Sequence, residues 1–150
     1  MLADKIENDL KAAMKSKDIL KVETLRMLKA ALHNFLIEKR KDKAEDQEIM
    51  GLIQKQIKSR EDSIEGFKKG SRQDLVDKEE AQLNILQSYL PEQMGESEVR
   101  ELVNKLISEL RSAGKTLEMG LVMKEVMAKL KGQADGSLVR EMVEEVSKEG

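Results

Sequence analysis

The sequence predicts an all-α protein, and three observations carry that prediction. Lys, Glu, Leu, Ala and Met dominate a chain in which 37% of residues are charged and only 2% are aromatic, a composition of strong helix formers. Apolar residues recur at spacings of three and four in seven separate segments, which places them on one face of a helix. No stretch alternates apolar and polar residues persistently enough to suggest a strand. The 150 residues suit one domain or two small, coupled ones. At that length roughly 70% of the unfolded surface can be buried without a disulfide or metal staple.

The first helix is expected over residues 2–15, on Leu2, Ile6, Leu10 and the Ala13/Met14 pair. Lys15-Ser-Lys-Asp18 interrupts the pattern, and Asp18 or Ser16 is suited to cap the second helix. That helix is expected over 19–39, with Val22, Leu25, Leu28/Lys29, Leu32 and Phe35/Leu36 as its stripe. Residues 40–46 have no apolar periodicity and read as a charged loop. The third helix is expected over 45–68, on Ile49, Leu52/Ile53, Ile57, Ile64 and Phe67, with Gly66, Gly70 and Ser71 ending it and turning the chain. The fourth is expected over 72–89, on Leu75/Val76, Leu83, Leu86 and Leu90, and Pro91 stops it.

Leu90-Pro-Glu-Gln-Met-Gly95 reads as a linker. Three shorter helices come after it. The fifth covers 97–112, on Val99, Leu102/Val103, Leu106/Ile107 and Leu110. Ala113-Gly-Lys115 breaks it, and Thr116 is suited to cap the sixth, over 117–131, on Met119, Val122/Met123, Val126/Met127 and Leu130. Gly132 suits the position just past that helix and Asp135 the cap of the seventh, over 137–148. The expected organisation is an N-terminal helical domain of about four helices (1–91) and a smaller three-helix C-terminal domain (92–150). No period of 20–50 residues repeats, which excludes a solenoid.

Composition excludes several functions. With 27 Lys+Arg against 29 Asp+Glu, the net charge of −2 gives no global pull toward nucleic acid or anionic lipid. No cysteine is present, so thiol nucleophiles, zinc fingers and iron–sulfur ligation are out. His33 alone cannot build a multi-histidine metal site. The apolar runs fall short of the ~18 residues that span a membrane, and the N-terminal residues lack an apolar signal segment. A cytoplasmic location without membrane attachment is expected. No phosphate loop, nucleophile elbow, zinc-protease motif or dinucleotide fingerprint occurs. No catalytic residue, metal or cofactor is therefore expected.

Binding is more legible than chemistry. An antiparallel hairpin turning near Gly70 pairs positions whose numbers sum to about 140, which sets Arg60 opposite Glu79. One reading is an ion pair that fixes helix register, since an unpaired buried charge is costly. The other turns Arg60 outward to a phosphate, with Glu79 orienting it. Basic residues cluster at Lys39, Arg40, Lys41 and Lys43, at Lys55, Lys58 and Arg60, and at Lys68, Lys69 and Arg72. Phe35, Phe67 and Tyr89 are the only aromatics, too few for a base-stacking platform. Any RNA contact would thus read backbone and shape. Met119, Met123 and Met127 form a row suited to a core or to an adaptable partner surface. Gly132-Gln-Ala-Asp-Gly136 joins two helices tightly, and the last helix's free N–H groups would take either a phosphate or Asp135 itself.

Several of these segments, in order, resemble the YqeY family: Leu25-Arg-Met-Leu-Lys29; Lys58-Ser-Arg-Glu-Asp-Ser-Ile64 with Phe67, Gly70, Arg72 and Asp74-Leu75; Tyr89-Leu-Pro-Glu-Gln93; Met119-Gly-Leu-Val-Met123; and Gly132-Gln-Ala-Asp-Gly136. The resemblance spans essentially the whole chain. It implies an all-helical fold with a C-terminal part like the tail domain of the B subunit (GatB) of the glutamine-dependent tRNA amidotransferase. That tail contacts tRNA, and related modules are appended to some glutaminyl-tRNA synthetases. The implied function is a non-catalytic tRNA-binding accessory module, with an aminoacyl-tRNA synthetase or amidotransferase subunits as further partners. The family is also associated with carbon–nitrogen ligase activity using glutamine as amido donor, for which these residues offer no machinery. A protein–protein adaptor using the methionine row is the other reading. Gln133 and Ser137 stand where family members often carry Lys or Arg. That moves the expected phosphate contacts to Lys55, Lys58, Arg60, Lys68, Lys69 and Arg72, and leaves Gly132, Asp135 and Gly136 as a loop motif.

Overall fold

A computed structural model describes residues 1–114 and 118–149. Among the described residues there are seven helices and no strand: α1 (Leu2–Ser16), α2 (Ile19–Lys39), α3 (Asp46–Lys69), α4 (Gln73–Gln87), α5 (Glu96–Ser112), α6 (Met119–Leu130) and α7 (Gly136–Glu149). The all-α expectation holds. Lys115, Thr116 and Leu117, expected to break, cap and open a helix, lie outside the described residues.

Helix ends follow local chemistry that spacing does not reveal. Lys17 takes a left-handed conformation at φ 59°, and Asp18 caps α2 by accepting the Lys21 N–H at 3.2 Å. Ser16 instead bonds backward to the Ala13 carbonyl. At the start of α3 the Glu45 N–H donates to Glu48 at 3.0 Å, the backward half of a capping box. Gly66 does not end α3; the helix runs through it to Lys69. Ser71, at φ 56°, makes the turn, and the Arg72 N–H reaches the Phe67 carbonyl at 2.9 Å. The fourth helix ends at Gln87, earlier than expected, where the chain tightens ahead of Pro91: the Tyr89 N–H donates to the Leu86 carbonyl and the Leu90 N–H to that of Gln87.

The helices form two compact units, Met1–Leu90 and Pro91–Gly150. In the first, α3 and α4 pack as a hairpin, α1 lies on α2 and α3, and α2 meets α4. The centre holds Ile6, Leu10, Leu25, Leu28, Ile49, Ile53, Ile57, Leu86 and Tyr89, all buried. Four ambiguous pairs in the stripes of this unit resolve to one buried member, Ala13, Leu28, Ile53 and Val76, whereas neither Phe35 nor Leu36 is fully buried. Thr24 is fully buried too, its hydroxyl donating to the Leu20 carbonyl at 2.8 Å. Beyond Leu28, α2 buries no residue.

Tyr89 anchors the end of this unit. Its ring is buried, its hydroxyl donates to Asp9 at 2.6 Å, and the Lys5 ammonium lies 5.4 Å from the ring centroid. Burial, and then the Asp9 carboxylate, push its hydroxyl pKa well above the ordinary value. The unfolded value is about 10, so this contribution to stability is complete below about pH 10 and is lost as pH rises toward the folded-state value. Tyr89 is the chain's single tyrosine and no tryptophan is present. Its phenolate absorbance should therefore appear only as the unit unfolds in alkali; a reversible titration near pH 10 with the helices intact would contradict the placement. Tyr89→Phe should lower stability by about 1.5 kcal/mol in chemical denaturation and remove that alkaline dependence.

The second unit is a three-helix arrangement in which α5 and α6 both pack on α7. Val99, Val103, Ile107, Val122, Val126, Leu130, Val139, Met142 and Val143 fill its centre. The expected linker is only partly a linker. The Met94 N–H donates to the Gln133 carbonyl at 2.7 Å, and the Gln93 amide reaches the Gly132 carbonyl at 2.9 Å. Residues 93 and 94 are thus tied to the turn between α6 and α7.

Candidate nucleic-acid interface

The expected phosphate contacts sit on α3 and just beyond it, and their helical positions decide what they share. Ile49, Ile53, Ile57 and Ile64 turn one side of α3 into the core. At ~100° per residue, Lys55, Lys58 and Lys69 fall together within about 80° of arc on the opposite side. Asp62 and Glu65 fall in that same arc. Its C-terminal half is therefore mixed in sign, and its N-terminal half is purely cationic.

The six cations differ sharply in their partners. Arg60 donates through Nη1 to Glu79 at 2.9 Å, and Nη2 lies 3.0 Å from the Met27 sulfur. Its side chain is 12% exposed and that of Glu79 16%, so the guanidinium is enclosed among α2, α3 and α4. Arg72 grips Asp74 through Nε and Nη2, both at 3.2 Å. That guanidinium holds the Asp74 carboxyl below its ordinary value, and the pairing raises the Arg72 pKa in turn. Lys69 lies 3.7 Å from Glu65. Lys55, Lys58 and Lys68 are exposed and have no ion pair among the described residues.

A further cation lies outside the expected set. Arg26 on α2 is exposed and without an ion pair among the described residues. The signal that marks it is an absence: residues 24–37 contain no Asp or Glu, and neither do residues 49–60 of α3. The two runs are neighbours, because Gln56 donates to the Met27 carbonyl and Arg60 reaches its sulfur. His33 is exposed on this helix.

The loop motif belongs to the second unit's own architecture. Lys131 and Gly132 take successive left-handed conformations, at φ 47° and 84°, so the second position suits glycine. Ala134 is buried. Asp135 stands just ahead of α7, its carbonyl accepting the Val139 N–H at 3.1 Å. A side chain at Gly136 would meet the Met127 methyl at 3.9 Å. The Gly132 and Gln133 carbonyls are taken by residues 93 and 94. Met119, Met123 and Met127 are half-buried against the unit's core, so the row contributes to packing.

Among the described residues no group of three or more His, Cys, Asp or Glu could hold a metal ion. No helix among them is long and apolar enough to cross a membrane.

Comparison with known proteins identifies the chain's relatives. The sequence pattern of the Yqey-like protein family matches residues 3–146. The protein called altered inheritance of mitochondria protein 41, mitochondrial, of Pyrenophora tritici-repentis is 40% identical over 145 residues, 95% of this chain and 78% of the relative. Its namesake in Lachancea thermotolerans is 33% identical over 123 residues, 81% of this chain and 66% of the relative. That of Saccharomyces cerevisiae is 31% identical over 127 residues, 83% and 68%. These relatives are mitochondrial by name, which overturns the cytoplasmic expectation. The physical reason for the error is simple: freedom from cysteine and from long apolar runs suits any reducing aqueous compartment and carries no address. A pattern matched over all but a few terminal residues, on a fold of the expected class, establishes that the chain belongs to the YqeY-like family.

Proposed function

We propose that the chain is a non-catalytic tRNA-binding accessory module that works beside aminoacylation or amidotransferase machinery. The observation that carries the reading is the carboxylate-free run 49–60 of α3, from which Lys55 and Lys58 project into solvent unpaired among the described residues. Lys68, also exposed and without an ion pair among the described residues, lies on a different side of α3, near its C-terminal end. Arg60, Lys69 and Arg72 act differently: Arg60 is enclosed against Glu79, and Lys69 and Arg72 are exposed but each lies beside a carboxylate that offsets part of its charge. The resemblance of residues 92–150 to the amidotransferase tail supports tRNA as the nucleic acid. That unit would supply shape and a protein contact. With few aromatics, recognition runs through phosphates and is steeply salt-dependent.

The test is a filter-binding titration of total tRNA, from about 50 to about 200 mM salt. Binding should weaken steeply across that range. Lys55→Glu/Lys58→Glu should weaken it at every salt concentration and flatten the salt slope by about one for each phosphate no longer neutralised. Arg72→Glu should have a smaller effect, because Asp74 already neutralises that guanidinium. Absence of binding at the low-salt end would overturn the proposal.

A further inference from the structure

The outward side of α2 combines exposed apolar side chains with an absence of carboxylates. Arg26, Ala30, His33 and Ile37 recur at intervals of four, three and four, which aligns them on one stripe facing away from Leu25 and Leu28. All four are exposed. Ile37 is 63% exposed, and on the same helix Ile19 is 72% and Met27 49% exposed. Among the described residues, three of the five exposed large apolar side chains thus lie on this one helix. The stripe is also bare of negative charge. Asp and Glu make up 29 of 150 residues, yet none occurs across residues 24–37. The carboxylates that bound the run are Glu23, which lies 3.7 Å from Lys78, and Glu38. Glu7 of α1 pairs with Lys29, at 2.8 Å.

We propose that this face of α2 docks an acidic amphipathic helix of a partner protein. Ala30 leaves room for a close approach between Arg26 and His33, and Ile37 offers an apolar anchor at the end. Arg26 supplies an unpaired cation at the rim. A partner helix with apolar residues at i, i+4, i+7 and i+11, flanked by Asp and Glu, matches both features. A phosphate backbone would use the arginine and gain nothing from Ile37 or Ala30, so the face favours protein over RNA. A second copy set antiparallel on the same face would bring each Arg26 to the other's Ile37 and leave both arginines without a carboxylate across the contact. The inference does not depend on tRNA binding, which rests on α3.

The probe is a synthetic helical peptide with leucine at those four positions and glutamate beside them. It is titrated into the isotope-labelled full chain and followed by backbone amide shifts. Shifts should concentrate on Arg26, Ala30, His33 and Ile37. A scrambled peptide of the same composition should not produce them. Arg26→Glu and Ile37→Ser, both at exposed positions, should each weaken binding by about tenfold or more. A peptide carrying lysine for glutamate should bind Arg26→Glu better than the parent chain, a rescue that a folding defect would not give. Equal binding of the scrambled peptide, or shifts scattered over the surface, would overturn the proposal. So would displacement of the peptide by tRNA or by phosphatidylserine vesicles acting through these same α2 residues. Loss of tRNA binding in Lys55→Glu/Lys58→Glu with the peptide still bound keeps the two surfaces distinct.

Discussion

Glu79→Leu is expected to destabilise residues 1–90 by about 3 kcal/mol. The substitution leaves the Arg60 guanidinium enclosed with its main partner gone. Nε of Arg60 already has no hydrogen-bond partner, and the Met27 sulfur accepts weakly. The structure can relieve the charge only by driving the side chain outward through α2 and α4. Arg60→Met/Glu79→Leu, which removes both charges and keeps the volume, should fold with stability close to the parent. Denaturant midpoints of the two variants and the parent decide the matter. A loss under about 1 kcal/mol for the single variant would mean that the pair behaves as a surface contact. Glu79→Leu also separates the two uses of Arg60. If the arginine serves structure, tRNA affinity falls with stability or stays level; a gain in affinity would show that Glu79 had been withholding a phosphate contact.

The second large effect is expected at Leu130. This side chain is fully buried at the last turn of α6, among Val126, Val139 and Met142 in the same core. Leu130→Ala should cost about 3 kcal/mol through lost transfer energy and the cavity left behind. A unit of ~60 residues buries only about 60% of its unfolded surface and has little stability in reserve. The variant should therefore lose most slow amide exchange across 91–150 at physiological temperature. Retention of protected amides throughout α5 and α7 would mean that the unit is far more stable than its size suggests.

Helix existence was legible because every helix here buries one face, and burial imposes the spacing of three and four. The α3/α4 hairpin is legible for a related reason: a turn near Gly70 sets the register that brings Arg60 to Glu79. Ends were less legible. Left-handed positions fall on the expected Ser71 and Gly132, but also on Lys17, Arg40 and Lys131, residue types that announce no turn, while Gly66 lies inside a helix. Buried polar residues were invisible as well: Thr24, Gln54 and Gln82 interrupt apolar faces, and only the fold shows that Thr24 is satisfied by its own helix. For the basic residues, spacing permits Lys69 to meet Glu65 and Arg72 to meet Asp74 without compelling either. Which cations remain available to a phosphate is therefore decided by side-chain placement that spacing leaves open. The run of α2 without carboxylates is different, since it is written in the sequence and gains meaning only when that side of the helix proves to be exposed.

The bond from the Met94 amide to the Gln133 carbonyl makes one hydrogen a reporter for an entire folding unit. The two residues flank α5 and α6, so the contact exists only when both helices and the turn after them are in place. Fraying of one helix end would expose its own amides and leave this one protected. Exchange at Met94 is accordingly expected to follow the global opening of 91–150, with the free energy of that whole transition. A single resolved amide at the very start of the unit would thus serve as its thermodynamic gauge, even though no aromatic side chain is present there to provide an optical one.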